Sequence, residues 1–223
     1  MGVKLMTFDS CEEATKIHSV YPDAELVFRI AQEETNAPGP MGKKFGAPSP
    51  LWLSILKHCM SLNLKVRGVS FHVGTGGCSF EAYEVSLKNA EKVFTLAKQI
   101  GMPPLDLLDI GGGYSDNATN YFNINGEDVF LQKNKFSIVA PKINHHLKEI
   151  FPGKNSNVKV IGEPGRYMCT GSGNIVAQIY LKKQVGDNCH YYINNGVYQG
   201  LACSVIDKEY YRAELLVDEA TLK

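Results

Sequence analysis

Two segments of this chain carry the residue types of an anion-binding site, and each begins with an apolar run. Leu107–Gly113 ends in three consecutive glycines, and Ile161–Arg166 ends in Gly-Glu-Pro-Gly-Arg. Buried parallel strands have this pattern where they end at the mouth of an active site. Glycine backbone can approach an anion closely because it has no Cβ, and an arginine can neutralise the same anion. Glu163 could serve a different atom of the ligand, so the two segments predict a site for an organic phosphate.

Hydrophobic periodicity predicts that strands and helices alternate as far as Arg166. The predicted strands are Lys4–Phe8, Ala24–Ile30, Val66–Val73, Leu105–Ile110 and Val158–Ile161. The predicted helices are one capped by Ser10 that ends before Pro22, then Pro50–Leu62, Phe80–Ile100 and Phe136–Phe151, the last with Pro141 in its first turn or breaking it. Gln32–Pro48 and Asp116–Asn134 are predicted to be irregular. We therefore predict an α/β fold, part of a TIM-type (β/α) barrel with its chemistry at the carboxyl ends of the strands.

The pattern changes after Arg166, where short strands and turn signals replace the alternation. Ala177–Lys182, Tyr191–Ile193 and Gly200–Ile206 are predicted strands, and Asn194–Gly196 is a turn signal between two of them. This indicates the start of an antiparallel β domain. We predict two domains, residues 1–168 as the partial barrel and residues 169–223 as the start of the β domain.

Composition argues against several classes of function. The 223 residues contain 23 Lys and Arg against 23 Asp and Glu, so nothing favours nucleic acid or an anionic membrane surface as a partner. No apolar run reaches the roughly 18–20 residues that span a bilayer, and the first residues lack the apolar core of a secretory signal. Six scattered cysteines without a C-x-x-C pair are typical of reduced thiols, so we expect a cytoplasmic protein without a metal site.

Several motifs, in one order and at one spacing, resemble those of the eukaryotic ornithine decarboxylases. The matching motifs are Met6–Ser10, Lys44–Gly46, Ser70–Gly76, Leu107–Gly113, Gly162–Arg166, and Tyr191–Asp207 with its Gly196-Val197-Tyr198. The resemblance covers over nine tenths of the chain. It implies a pyridoxal 5'-phosphate enzyme with an alanine-racemase-like barrel, followed by a C-terminal β domain. The reaction it implies removes the α-carboxyl group of ornithine and yields putrescine for polyamine biosynthesis.

The resemblance implies how the phosphate of pyridoxal phosphate is held. The backbone N–H groups of Gly111, Gly112 and Gly113 would bind the phosphate, and Arg166 would add a charged contact. Thr75 would supply a hydroxyl, since it replaces the serine usual at this position.

The resemblance also implies which residues serve the cofactor ring and the substrate. Glu163 would bond the pyridine nitrogen and keep it protonated, which makes the ring a stronger electron sink. His72 would stack on the ring, and Arg29 would lie beside the cofactor. Asp207 would bind the distal amine of ornithine, because a carboxylate is the expected partner of an ammonium group. Glu163 and His72 are thus the implied catalytic residues.

Two family motifs have no counterpart in this chain. The cofactor lysine of the family lies upstream of the segment resembling Met6–Ser10, and its Cys-Asp motif, given across a homodimer interface, lies downstream of Asp207. We therefore expect the chain to be inactive by itself. Ile206 also stands where the family usually has tyrosine, which bears on substrate specificity.

Other interpretations of the same residues stay open. His72 could be a core histidine, Arg29 and Lys44 structural ion-pair partners, and Asp207 a turn residue. The chain could also be a non-catalytic regulator that binds antizyme, because Met1 to about Tyr21 aligns with the antizyme-binding helix region of the family. A related decarboxylase acting on arginine or diaminopimelate is a third possibility.

Overall fold

The computed structural model of the chain describes residues 2–32, 42, 44–74, 80–114, 121–124, 127–130, 136–152, 157–169, 172–206, 209–211, 213–214 and 216. Contacts between Cα atoms divide the chain into two compact units. The first unit is Met1–Ala118 with Gln132–Gly171, and the second is Thr119–Leu131 with Ser172–Lys223. The predicted domains, residues 1–168 and 169–223, stay a prediction.

The first unit is built on a parallel sheet of five strands with helices between them, as the sequence predicts. In chain order the elements before the second unit are β1 (Leu5–Phe8), α1 (Cys11–Val20), β2 (Glu25–Arg29), α2 (Trp52–Ser61), β3 (Lys65–Ser70), α3 (Phe80–Gln99) and β4 (Leu107–Asp109). Two strands of the second unit follow, β5 (Tyr121–Ile124) and β6 (Glu127–Phe130). The chain then returns to the first unit with α4 (Phe136–Ile150), β7 (Lys159–Ile161) and α5 (Arg166–Cys169). The sheet order is β1-β2-β3-β4-β7, and every neighbouring pair is parallel. The central strands are apolar on both faces, since the consecutive residues Leu26, Val27 and Phe28 of β2 are all buried.

Local sequence signals set the ends of the helices. Ser10 caps α1, since its side-chain oxygen accepts a hydrogen bond from the Glu13 amide at 3.1 Å. Helix α4 continues through Pro141, the sixth residue of the helix, so the expectation that this proline lies in the first turn or breaks the helix was wrong. Packing of the apolar face, on which Val139 and Ile143 are buried, offsets the loss of one backbone hydrogen bond.

Charged side chains pair at the amino ends of the sheet strands. Arg67 of β3 forms two hydrogen bonds to the Asp106 carboxylate, at 2.6 and 2.7 Å, and also contacts Glu25 of β2. Lys65 completes the group with a second contact to Glu25. Hydrogen bonding to the guanidinium holds the pKa of Asp106 below its usual range. These pairs fasten the start of β3 to its neighbours at the end of the sheet opposite the predicted site.

The second unit contains two small antiparallel sheets. One joins β5 (Tyr121–Ile124), β6 (Glu127–Phe130) and β10 (Glu209–Tyr210), and the other is a hairpin of β8 (Ile179–Val185) and β9 (Asn188–Ile193). The prediction that Asp116–Asn134 is irregular was therefore wrong for β5 and β6. Their pairing with β10, far along the chain, is a tertiary contact that a local pattern does not report.

Two further predictions in this unit were wrong. Gly200–Ile206 was expected to be a strand, but it forms a turn followed by the short helix α6 (Cys203–Ile206). The Asn194–Gly196 signal does not join two strands, because the turn between β8 and β9 lies at Gly186 and Asp187. Asn195 instead stabilises the turn after β9, where its side-chain oxygen accepts a hydrogen bond from the Gly200 amide at 2.9 Å.

No helix in the described part of the chain is both long and apolar enough to cross a bilayer.

Candidate active site at the carboxyl ends of the strands

Four neighbouring strands bring the candidate residues to one edge of the sheet. The ends of the strands are in register, with Arg29 paired to Ser70, Ser70 to Asp109, and Asp109 to Ile161. Residues just beyond these positions therefore lie side by side. Arg29 ends β2, and the other candidates follow the next three strands: His72 after β3, Gly111–Gly113 after β4, and Glu163 with Arg166 after β7.

The three glycines form a turn that no larger residue could occupy without a change in the backbone. Gly111 and Gly113 have φ of +63° and +96°. A Cβ at Gly111 would lie 2.1 Å from the carbonyl oxygen of Phe71, and one at Gly113 would lie 2.4 Å from that of Gly74. The glycine turn therefore packs directly against the loop that follows β3.

Gly112 lies where the segments after β3, β4 and β7 meet. A Cβ at Gly112 would be 2.7 Å from the Glu163 carbonyl oxygen and 2.9 Å from Nε2 of His72. The Glu163 amide also donates a 2.8 Å hydrogen bond to the Gly111 carbonyl oxygen. The structure thus brings together His72, the glycines and Glu163, as the sequence predicts.

His72 is held as a neutral ring. Its Nδ1 accepts a hydrogen bond from the Gly74 amide at 3.0 Å, so the ring proton is on Nε2, the nitrogen facing Gly112. Burial lowers the pKa of His72, and the positive charge of Arg29 lowers it further, against an opposing effect of Glu163. A fixed, uncharged aromatic ring at this position suits contact with a flat ligand.

Asp109, the last residue of β4, is a functional candidate that the sequence analysis missed. It is only 6% exposed, and its Oδ1 accepts a hydrogen bond from the Gly111 amide at 2.9 Å. The pKa of Asp109 is raised to about 6, mainly by burial. The negative charge of Glu163 and a hydrogen bond with its side chain act in the same direction, whereas the hydrogen bond from the Gly111 amide and the positive charge of Arg29 lower the pKa. Two carboxyl groups therefore lie close together beside the glycine turn.

Two tyrosines that the sequence analysis also missed stabilise the glycine turn. Tyr83 lies on α3, and Tyr114 directly follows Gly113. The hydroxyl of Tyr83, on α3, donates to the carbonyl oxygen of Gly112 at 3.1 Å. The rings of Tyr83 and Tyr114 stack with centroids 5.5 Å apart and planes 7° from parallel. Both side chains are buried. The backbone of the glycine turn is thus fastened to a long helix.

The remaining candidates differ in how well they are placed. The Arg29 guanidinium lies 5.0 Å from the centroid of the Phe45 ring and close enough to His72 and Asp109 to affect the pKa of both. Arg166 is half-buried as the first residue of α5. Thr75 and Asp207 lie outside the described residues.

Comparison with known proteins identifies the family of this fold and site. The family model for the pyridoxal-binding domain of pyridoxal-dependent decarboxylases matches residues 1–170. The chain belongs to this family. Ornithine decarboxylase of Mus musculus is 34% identical over 96% of the chain and 46% of the relative, and antizyme inhibitor 2 of Xenopus laevis is 34% identical over 92% of the chain and 45% of the relative. The chain thus spans about half the length of the curated relatives it matches.

The chain also resembles a solved decarboxylase structure over almost its whole length. The arginine decarboxylase of Paramecium bursaria Chlorella virus superposes with a TM-score of 0.84 at 30% identity, covering 97% of this chain and 54% of the virus protein. The five parallel strands are therefore part of a TIM-type barrel, which confirms the predicted fold class. Pyridoxal phosphate is the cofactor of this family.

The residues of this chain fit pyridoxal phosphate. The glycine cradle, Gly111–Gly113, makes the tight turn that close approach of backbone to a phosphate requires, and a side chain at any of the three positions would collide with a neighbouring carbonyl oxygen. A neutral ring at His72 and carboxyl groups from Asp109 and Glu163 lie beside the cradle. The donor set thus matches the two chemically different parts of the cofactor, an anion and a basic aromatic nitrogen.

Proposed function

We propose that this chain is the cofactor-binding part of a decarboxylase that converts ornithine to putrescine in polyamine biosynthesis. The observation that carries the proposal is the convergence of the glycine turn, His72 and Glu163 at the ends of adjacent parallel strands. When bound, pyridoxal phosphate withdraws electrons from the amino-acid Cα and so stabilises the negative charge left when CO₂ departs.

Gly112, Gly113, Arg166 and Thr75 are the proposed phosphate-binding residues, and Gly111 shapes the turn, since its own amide donates to Asp109. The positive φ angles of Gly111 and Gly113 turn the backbone tightly around the cradle, as close approach to a phosphate requires. Arg166 adds a permanent positive charge, and Thr75 adds a hydroxyl donor.

Glu163 and His72 are the proposed catalytic residues, and Arg29 the third group beside the ring. Glu163 holds a proton on the pyridine nitrogen through its carboxylate, which increases the electron demand of the ring. His72 stacks on the ring, and its neutral state avoids placing a cation against a protonated pyridine. Arg29 supplies positive charge next to the two carboxyl groups and so limits their mutual repulsion.

Ornithine is the proposed substrate, with Asp207 as the partner of its distal ammonium group. The ornithine decarboxylases among the relatives support this choice, whereas the virus arginine decarboxylase keeps arginine as the alternative substrate. Diaminopimelate is a further alternative from the same reaction class. Release of labelled CO₂ from ornithine, arginine and diaminopimelate, by a polypeptide that carries this segment with the family lysine, would distinguish them.

We also propose a cytoplasmic homodimer for that longer protein.

A regulator that binds antizyme is the second candidate function. The match to antizyme inhibitor 2, as strong in identity as that to ornithine decarboxylase, favours it. The two functions differ in what they require of the site, since a regulator has no need of the phosphate cradle. Binding of pyridoxal phosphate by the chain, with no measurable affinity for antizyme, would favour the enzyme.

Substitution of Arg166 and Glu163 tests the proposed cofactor site directly. Arg166→Ala should weaken binding of pyridoxal 5'-phosphate to the chain by about 1–3 kcal/mol, the scale of a charge-assisted hydrogen bond. Glu163→Ala should weaken binding of benzyl phosphate, which has no ring nitrogen, much less than Arg166→Ala does. Calorimetric titration measures both, with Lys88→Ala on the exposed face of α3 as a control that should bind normally. Equal losses of benzyl phosphate affinity in the two variants would contradict the separate roles.

A further inference from the structure

Asp109 is linked to two parts of the proposed site at once. Its Oδ1 accepts the 2.9 Å hydrogen bond from the Gly111 amide. The carbonyl oxygen of the same glycine accepts the 2.8 Å hydrogen bond from the amide of Glu163. A single residue, Gly111, therefore joins the backbone that carries Glu163 to the carboxyl group of Asp109.

The surroundings of Asp109 make this carboxyl group sensitive to its neighbours. Arg29 reaches it from β2 and Glu163 from the segment after β7, with Tyr114 close by and His72 following β3 on the neighbouring strand. Burial and the charge of Glu163 raise its pKa to about 6, because desolvation and a neighbouring negative charge both disfavour the ionised form of Asp109.

We propose that Asp109 is a positioning residue, which holds the glycine turn and the Glu163 carboxylate as one unit. The inference deepens the proposed function and rests on it for the identity of the ligand. The hydrogen bond to Gly111 fixes the phosphate cradle, while the negative charge of Asp109 lies beside Glu163, the residue proposed to face the ring nitrogen. The phosphate end and the ring end of the site would then respond together to a change at Asp109.

A ligand-free experiment tests the link within the protein. In the full chain labelled with ¹⁵N-glycine, the Gly111 amide resonance should shift with pH, with a midpoint near the value of about 6 for Asp109. Glu163→Gln should lower this midpoint because it removes the neighbouring negative charge, whereas Glu149→Gln, on the exposed surface of α4, should leave it unchanged. A Gly111 amide that does not titrate, or a midpoint unmoved by Glu163→Gln, would overturn the proposal.

Binding of two phosphates to Asp109 variants tests the link to the ligand. Asp109→Asn keeps an oxygen for the Gly111 amide, so benzyl phosphate affinity should stay within about twofold of the parent, whereas Asp109→Ala should weaken it by about tenfold, as loss of one buried hydrogen bond predicts. Pyridoxine 5'-phosphate, which has the ring nitrogen, should bind several-fold more weakly to Asp109→Asn at pH 8. Rescue by asparagine would thus be complete for one probe and incomplete for the other.

The two experiments separate failure of this inference from failure of the proposed function. Equal affinities of both phosphates for the parent and Asp109→Asn, or unchanged benzyl phosphate affinity in a folded Asp109→Ala, would refute the positioning role. If the parent chain binds neither phosphate, the proposed function fails, and the Gly111 resonance still decides whether Asp109 and Glu163 act as one unit.

Discussion

Asp109 lowers the stability of the folded chain at neutral pH. Its pKa is raised from 3.8 to about 6, so the folded protein binds this proton more tightly than the unfolded chain does. The contribution of Asp109 to the free energy of unfolding therefore falls as the pH rises from about 4 to about 6, and the full destabilisation is present well above pH 6. At 1.36 kcal/mol for each unit of pKa, the cost is about 2–3 kcal/mol. Strain of this kind is common where a carboxyl group serves a ligand.

Asp109→Asn should therefore stabilise the chain at pH 7.5, by about 1–3 kcal/mol in the free energy of unfolding. The gain should vanish near pH 4, where the parent carboxyl group is protonated. Urea unfolding at the two pH values measures it. Asp106→Asn is a control of opposite sign, because Arg67 lowers the pKa of Asp106 and its charge is favourable at pH 7.5. A variant at Asp109 that is less stable than the parent at pH 7.5 would contradict the expectation.

Candidate site residues could be recognised from the sequence only where their type was distinctive. A run of glycines, and a glutamate and an arginine after an apolar strand, mark Gly111, Glu163 and Arg166 without any structure. Asp109 was not recognised because, as the last polar residue of an apolar strand, it resembles any residue that ends a strand. Its proposed role depends on Glu163, which only the pairing of β4 with β7 brings near. Tyr83 was missed because its helical spacing indicates only burial.

The glycine turn is the element on which the proposed phosphate site depends. Gly111→Ala should abolish measurable binding of pyridoxal phosphate, because the new Cβ would lie 2.1 Å from the Phe71 carbonyl oxygen. It should also destabilise the chain by about 2–5 kcal/mol, the sum of a left-handed backbone and an overpacked contact. Calorimetry and urea unfolding measure the two effects.

Gly101→Ala is the matched control for that substitution. Gly101 also has a positive φ, of +80°, but nothing lies within 4 Å of its Cβ position. It ends α3 away from the site, so alanine should cost only about 1–2 kcal/mol and leave binding unchanged. If the two variants lost the same stability, the close approach of Phe71 would not be the cause.

Elements were predictable where short-range signals agree with tertiary packing. Ser10 and Glu13 mark the start of α1 by a contact within one helical turn. The strand pair β5 and β6 was missed because its third partner, β10, is far along the chain. Gly200–Ile206 was wrongly predicted as a strand because its apolar residues suit a strand as well as a helix, and the hydrogen bonds of the Gly196 turn decide the outcome.

At the scale of the whole molecule, the two units should differ in local stability. Strands β2 and β3 are covered by helices, whereas the side chains of the β8–β9 hairpin are largely exposed, including Ile179, Leu181 and Tyr191. A two-stranded hairpin alone is marginal in water. Hydrogen exchange followed by mass spectrometry should therefore show amides of β2 and β3 exchanging at least about 100-fold more slowly than those of β8 and β9, since local opening energies differ by several kcal/mol. Equal protection would mean that the hairpin is stabilised by contacts outside the described residues.

The strand-start ion pairs of Glu25, Lys65, Arg67 and Asp106 have a consequence for how this protein can change over time. They lie at one end of the parallel sheet, and the glycine turn, His72 and Glu163 lie at the other. A substitution that strengthens or weakens the pairs leaves the residues of the proposed site unchanged, so stability and substrate selectivity can evolve independently. During evolution, substitutions at one end of the barrel can change stability to heat or acid, while substitutions at the other end change substrate specificity.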